Sequence, residues 1–300
     1  MSDAQLSPGQ RFRDSIAAGT IAIPGAFNAL TARMAERMGY QAVYQSGASL
    51  SAGLAAVPDI GLLTATEFTT QGRYLSQAVS IPVISDADTG FGEALSVERT
   101  VQQFEAAGLA GLHLEDQQMP KRCGHLNGKS LVSTHDMVTK IRAAVAARND
   151  PAFVIIARTD ARGVDGFDAA IARSQAYLAA GADMIFPEAL ETAEEFEAFA
   201  RIVQAPLLAN MTEFGKSPLL SLTELAQMGY AAALFPVTLF RVAMLAVETA
   251  LDQLAVEGTQ RNFVDVMQTR KRLYELLDYS DYDRRDQQYS AGAEGVGQGS

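Results

Sequence analysis

The chain is short of several things, and each shortage narrows what it can be. Among its 300 residues there is one cysteine, Cys123. A single thiol excludes an intrachain disulfide framework and suits a reducing compartment. Basic residues are outnumbered: 24 Lys and Arg against 35 Asp and Glu leave a formal net charge of −11. That balance argues against nucleic acid or an anionic membrane surface as a partner. It leaves room for a small anion held by local arginines. The longest apolar stretch, residues 231–247, is broken by Pro236 and Arg241. It reads as a buried strand leading into a helix, not a membrane span. Residues 1–20 lack the apolar centre of a signal peptide. The expectation is a soluble cytoplasmic protein. No Gly-x-Gly-x-x-Gly follows the first apolar run, which counts against a doubly wound dinucleotide-binding sheet.

What is present is ample core material, 48% hydrophobic residues, arranged with a repeat. Short apolar runs at 21–24, 42–44, 82–85, 111–114, 153–157, 183–186, 206–209 and 232–235 alternate with longer helical stretches. Continuous runs of this length suit strands buried on both faces. Strand then helix, eight times over, predicts an α/β fold of the (β/α)8 TIM-barrel type. Gly39, Gly108, Gly181 and Gly229 each sit just before a run, where glycine can end a helix. Two segments fall outside the repeat. Residues 117–132 lack periodicity and carry Cys123; a loop that long is commonly a functional lid. Residues 264–279 read as an extra C-terminal helix, expected to pack on a neighbouring subunit. A single domain over 1–289 is expected, followed by a Gly-rich, disordered tail over 290–300.

In such a barrel the active site lies at the C-terminal ends of the strands. The polar residues predicted there are Tyr44, Ser46, Gly47 and Ala48; Asp86 and Asp88; His113, Glu115 and Asp116; Arg158 and Asp160; Glu188; Asn210 and Thr212; and Arg241. Asp86, Asp88 and Glu115 are hard oxygen donors that suit Mg²⁺ or Mn²⁺ better than Zn²⁺. The blander alternative is that Asp86-x-Asp88 caps the next loop. Arg158 and Arg241 offer forks for carboxylates, or else make structural ion pairs. Backbone N–H groups at Ser46, Gly47 and Ala48 also favour an anion. In Lys121-Arg122-Cys123-Gly124-His125 the flanking cations are expected to lower the thiol pKa, making Cys123 a proton donor or nucleophile rather than a buried structural residue. His125 and Glu188 either titrate or hold the lid closed. Together these point to a small polycarboxylate held on a divalent metal.

Five motifs combine into a resemblance: Lys121-Arg122-Cys123-Gly124-His125, Tyr44-x-Ser46-Gly47, Asp86-x-Asp88-x-Gly90-x-Gly92, His113-x-Glu115-Asp116-Gln117 and Asn210-x-Thr212-Glu213-Phe214-Gly215. Over about residues 7–282 the chain resembles the isocitrate lyase and phosphoenolpyruvate mutase superfamily. Its Lys-Arg-Cys-Gly-His loop is similar to that of the methylisocitrate-cleaving branch, where isocitrate lyases carry Lys-Lys-Cys-Gly-His. Phe186 and Leu234 match the positions that make room for a substrate methyl group. Ala48 departs from the glycine common in bacterial relatives and from the tryptophan of isocitrate lyases. The resemblance implies an Mg²⁺-dependent carbon–carbon lyase, with Mn²⁺ as the alternative ion, that splits 2-methylisocitrate into pyruvate and succinate in the methylcitrate cycle of propionate catabolism. It also implies a homotetramer. Cys123, Tyr44, His125 and Glu188 would be catalytic, with Cys123 as acid and Tyr44 as partner for the hydroxyl proton. Ser46, Gly47, Ala48, Gly124, Arg158, Asn210, Thr212 and Arg241 would bind substrate. Asp59 joins Asp86, Asp88 and Glu115 near the metal. The alternatives are a related lyase or hydrolase acting on dimethylmalate, isocitrate or oxaloacetate.

Overall fold

The computed structural model describes residues 6–294. Among them are eight strands: β1 (Ile21–Pro24), β2 (Val43–Gln45), β3 (Val83–Asp86), β4 (Gly111–Glu115), β5 (Val154–Thr159), β6 (Met184–Pro187), β7 (Leu208–Asn210) and β8 (Ala232–Phe235). Every predicted run overlaps one. The helices are α1 (Pro8–Ala18), α2 (Ala29–Arg37), α3 (Gly47–Ala55), α4 (Ala65–Ala78), α5 (Ala94–Ala106), α6 (Thr134–Ala147), α7 (Phe167–Ala179), α8 (Ala193–Ile202), α9 (Leu222–Met228), α10 (Thr238–Glu257), α11 (Arg270–Leu276) and α12 (Tyr279–Glu294).

All strand pairs are parallel. The ladders form two arcs, β2-β3-β4-β5-β6 and β1-β8-β7. Single parallel bridges, Gly25 to Tyr44 and Ile185 to Leu207, join the arcs at both seams. The strands thus succeed one another around a barrel. Two apolar clusters follow from the strand period of two. Ile23, Tyr44, Ile84, Ile156, Phe186 and Leu234 face one another inside the barrel. Val43, Val83, Leu112, Ile155 and Ile185 point outward to helix residues such as Phe68, Phe104 and Phe199.

Local signals set the helix ends. Ser46, Thr64, Ser133 and Ser221 each accept a backbone N–H as N-cap, and Thr64/Glu67 and Ser221/Glu224 form capping boxes. Gly39, Gly108, Gly181 and Gly229 all adopt positive φ, between 88° and 105°, as expected of helix-ending glycines.

The C-terminal region departs from expectation. Contacts divide the chain into two compact units, Met1–Val242 and Ala243–Ser300. In the second unit the helix predicted over 264–279 is broken. A 3₁₀ turn ends at Val266, α11 starts behind the Thr269 N-cap, and Asp278 at φ 53° separates α11 from α12. Across the second break Tyr274 and Tyr279 stack with ring centroids 4.6 Å apart. The tail expected to be disordered from 290 begins inside α12, which continues to Glu294; residues 295–300 lie outside the described residues. No helix among the described residues is long and apolar enough to cross a membrane.

Candidate active site

Where the strands end, a narrow cavity of about 90 Å³ opens. Tyr44 and Asp86 line it from β2 and β3, with Ser46 and Ala48 from the turn into α3. Arg158, Phe186, Asn210 and Leu234 come from β5 to β8, and Glu188, Thr212 and Arg241 follow three of those strands. Asp59 closes one side, and Cys123, Gly124 and His125 come down from the 117–132 loop. Most of the predicted site residues are thus brought together. The exceptions lie one step back. Gly47 packs so close to Asp86 that a Cβ there would be 2.5 Å from Oδ2. Glu115 sits behind Arg158. Asp88 faces a neighbouring pocket beside Thr89 and Arg99. Asp116 lies deeper still, accepting from Thr159 Oγ1 (2.8 Å), Tyr177 Oη (2.7 Å) and the Asp160 amide (2.9 Å). It supports the site without lining it.

The carboxylates are crowded, and their charges respond. Lys121, buried, puts its ammonium between Asp59 and Asp88, 2.7 Å from Asp88 Oδ1. Burial, then the Asp86 charge, pushes the Asp88 carboxyl up to about 7. Burial also raises Glu115 well above the usual carboxylate range. Burial disfavours the Asp86 carboxylate too, but His113, Lys121 and Arg158 outweigh it and hold Asp86 below that range. Among the described residues no three His, Cys, Asp or Glu side chains converge tightly enough to cage a metal. What Asp86, Asp88 and Glu115 present instead is a wall of hard oxygens. Both Glu115 carboxylate oxygens are buried without a hydrogen-bond donor. Such a wall fits Mg²⁺, which keeps several of its waters and needs few direct protein ligands.

The barrel floor is neutral. Burial lowers His113 to about 4, so its ring is uncharged at neutral pH. Its Nε2 lies 2.8 Å from Tyr44 Oη. Burial, reinforced by Asp86, holds the Tyr44 phenol well above its ordinary value. Tyr44 therefore keeps its proton and is no ready acceptor by itself, contrary to the simplest form of the sequence expectation.

Arg158 binds carboxylates that belong to the protein. Nε and Nη2 donate to Asp160 Oδ2 and Oδ1 at 3.0 and 3.2 Å, Nη1 stands 3.2 Å from Glu115 Oε2, and the guanidinium lies 5.2 Å from the Phe186 ring centre. Arg241 pairs with Glu213 at 3.5 Å and covers the Phe214 ring. Glu188 faces His125 Nε2 at 2.7 Å and accepts from Asn210 Nδ2 at 3.2 Å. Burial alone would raise Glu188; Arg158 and His125 reverse this and hold it far below the usual range. The Lys216 amide donates to His125 Nδ1 at 2.9 Å, so the ring hydrogen sits on Nε2, toward Glu188.

The thiol corrects an expectation. Cys123 is an exposed residue, yet burial of its sulfur side raises the thiol above its ordinary value. The adjacent cations do not offset this: Lys121 is taken by Asp59 and Asp88, and Arg122 is exposed, where solvent screens its charge. Proximity in sequence overstated their field. A protonated thiol remains a competent acid. Lys121 as counter-ion of the carboxylates, and His113 as neutral partner of Tyr44, were not foreseen in those roles. The signal for Lys121 was charge balance: four neighbouring carboxylates need a buried cation.

The sequence matches the phosphoenolpyruvate phosphomutase family over residues 12–255. It is 51% identical to a 2-methylisocitrate lyase of Aeropyrum pernix, across 96% of this chain and 92% of that one. Among solved structures, a 2,3-dimethylmalate lyase matches with a TM-score of 0.89 at 34% identity, covering 95% of this chain and 96% of that chain. A phosphonopyruvate hydrolase solved with oxalate and Mg²⁺ matches with a TM-score of 0.86 at 31% identity, covering 95% and 99%.

Proposed function

Because the chain belongs to the phosphoenolpyruvate phosphomutase family and is a carbon–carbon lyase, we propose that it cleaves 2-methylisocitrate to pyruvate and succinate with the help of Mg²⁺, as a step of propionate catabolism. What supports the reading most directly is the cavity. It joins an acid, Cys123, to Arg158 and Asn210, donors for a carboxylate, and to an apolar wall of Phe186 and Leu234.

Cleavage needs three things from the protein. The substrate hydroxyl must lose its proton as it becomes the pyruvate carbonyl. Tyr44 can accept that proton only by passing its own to the neutral His113 Nε2, 2.8 Å away. The electron pair of the broken bond then collects on the succinate half, as a carbanion conjugated with a carboxylate. Arg158, Asn210 and Thr212 oppose that charge in a site shielded from water. Finally Cys123, kept protonated by its burial, gives its proton to the carbanion. Asp86, Asp88 and Glu115, with Asp59 nearby, would hold Mg²⁺, which would supply positive charge for the hydroxyl and carboxylate of the pyruvate half. His125 and Glu188 anchor the loop through their 2.7 Å contact. Gly124, Ser46, Gly47, Ala48 and Arg241 shape the pocket rim.

A homotetramer belongs to the same proposal. Val247, Leu251 and Leu254 are exposed on α10 at helical spacing, a face that a second copy would cover; light scattering of the purified protein tests it. The activity test is direct. Purified protein with Mg²⁺ is given 2-methylisocitrate, isocitrate, dimethylmalate and oxaloacetate separately, and all products are identified. Pyruvate with succinate, released far faster than glyoxylate from isocitrate, is expected. Silence on methylisocitrate with cleavage of another acid would overturn the substrate assignment.

A further inference from the structure

Arg158 is short of charge for its task. Its guanidinium already faces Asp160, Glu115 and Glu188, at 3.0, 3.2 and 3.6 Å. A substrate carboxylate would be the fourth anion on one cation. A second cation reaches this group from the loop. Lys129, itself only 8% exposed, places its ammonium 2.8 Å from Asp160 Oδ1, the oxygen that Arg158 Nη2 also contacts. The same ammonium donates to the backbone carbonyl of Gly124, the residue after Cys123. Asp160 is fixed in turn from below, its amide donating to Asp116 Oδ1 at 2.9 Å.

We propose that Lys129 is a positioning residue that ties the cysteine loop to the carboxylate-binding arginine, through Gly124 on one side and Asp160 on the other. With the loop down, Asp160 divides its charge between two cations, and Arg158 has positive charge left for the substrate. With the loop lifted, Lys129 leaves, Asp160 falls wholly to Arg158, and the pocket loses one positive charge. Loop closure and carboxylate capture are thereby one event, and Cys123 is set over the cavity only when Arg158 is ready to bind. The second half of this inference rests on the lyase reading above; the first half, the clasp itself, does not.

The tests separate the two halves. In the ligand-free protein, Lys129→Met should speed amide hydrogen exchange in residues 119–131 about tenfold or more while the barrel strands keep their protection. This holds whatever the substrate proves to be. In turnover, Lys129→Met should lower kcat and raise KM together, with kcat/KM down about a hundredfold, as expected when one partner of a buried ion pair is removed. Lys129→Arg, which keeps the charge, should recover most of the KM. If Lys129→Met does not fold, Lys129→Gln carries both measurements, since it retains a donor for Gly124 without the charge. Unchanged loop exchange in the folded variant would overturn the clasp. Faster exchange with an unchanged KM would overturn the link to Arg158.

Discussion

Cys123 shows how far a residue's chemistry depends on what its neighbours are already doing. Two adjacent cations suggested a thiolate; Lys121 is paired with carboxylates, Arg122 is exposed to solvent, and burial raises the thiol instead. For a general acid the sign is favourable. The protonated form must persist, so the alkaline limb of kcat should lie above the ordinary thiol value of about 8.5, and a pH–rate profile reads it directly. An alkaline limb well below that value would return Cys123 to the thiolate role. Cys123→Ser should lose kcat by orders of magnitude while calorimetry still detects substrate binding; near-normal turnover would remove the residue from proton transfer. Asp88 allows a second test at this scale. It sits at φ 46°, a conformation asparagine tolerates. Asp88→Asn should therefore fold normally, yet lose activity and its dependence on divalent metal together. A variant that still needs Mg²⁺ would show that the ion is held elsewhere.

The elements explain which features were readable. Strands and helix ends were legible because their causes are local: eight apolar runs, and glycines that alone take positive φ cheaply at Gly39, Gly108, Gly181 and Gly229. Most of the site followed, because residues at strand ends converge once the barrel is assumed. The roles of Lys121, Lys129 and Asp160 did not follow, since each depends on distances across the fold that no spacing encodes. The broken C-terminal helix was missed because periodicity cannot see the extended backbone at Met267 and Thr269, or Asp278 taking positive φ. The loop itself carries a sharp constraint. A Cβ on Gly124 would lie 2.3 Å from Glu188 Cγ and 2.6 Å from Arg158 Nη2. Gly124→Ala must displace the loop or those two side chains, because such packing has no slack. Its kcat/KM should fall at least about tenfold, as a misplaced acid costs. Its melting temperature should stay close to the parent's, since the barrel core is untouched. Differential scanning calorimetry beside steady-state kinetics separates these effects, and full activity would mean that the loop is looser than its contacts indicate.

At the scale of the whole molecule, the carboxylate wall is a cost that metal should relieve. Burying Asp86, Asp88 and Glu115 around one ammonium leaves the metal-free protein with Asp88 titrating at about 7 and Glu115 raised well above its usual range. Protons and Mg²⁺ then compete for the same oxygens. The sign follows: below pH 7 Asp88 holds its proton in the metal-free protein, and binding must expel it; above pH 7 the carboxylate is already free. Apparent Mg²⁺ affinity should rise about tenfold between pH 6 and pH 8 on the Asp88 account alone. Ligand that binds only the folded state stabilises by mass action, and a tenfold change in affinity corresponds to about 1.4 kcal/mol. Thermal unfolding at pH 6 and pH 8, with one Mg²⁺ concentration well above Kd at both and with EDTA as reference, should show the Mg²⁺ increment in melting temperature larger at pH 8 by about 2–4 °C. In Asp88→Asn that pH dependence should shrink, because the titrating group is gone while the fold remains. An Mg²⁺ increment equal at both pH values in the parent protein would mean that the ion does not draw on Asp88, and the metal assignment would then rest on Asp86 and Glu115.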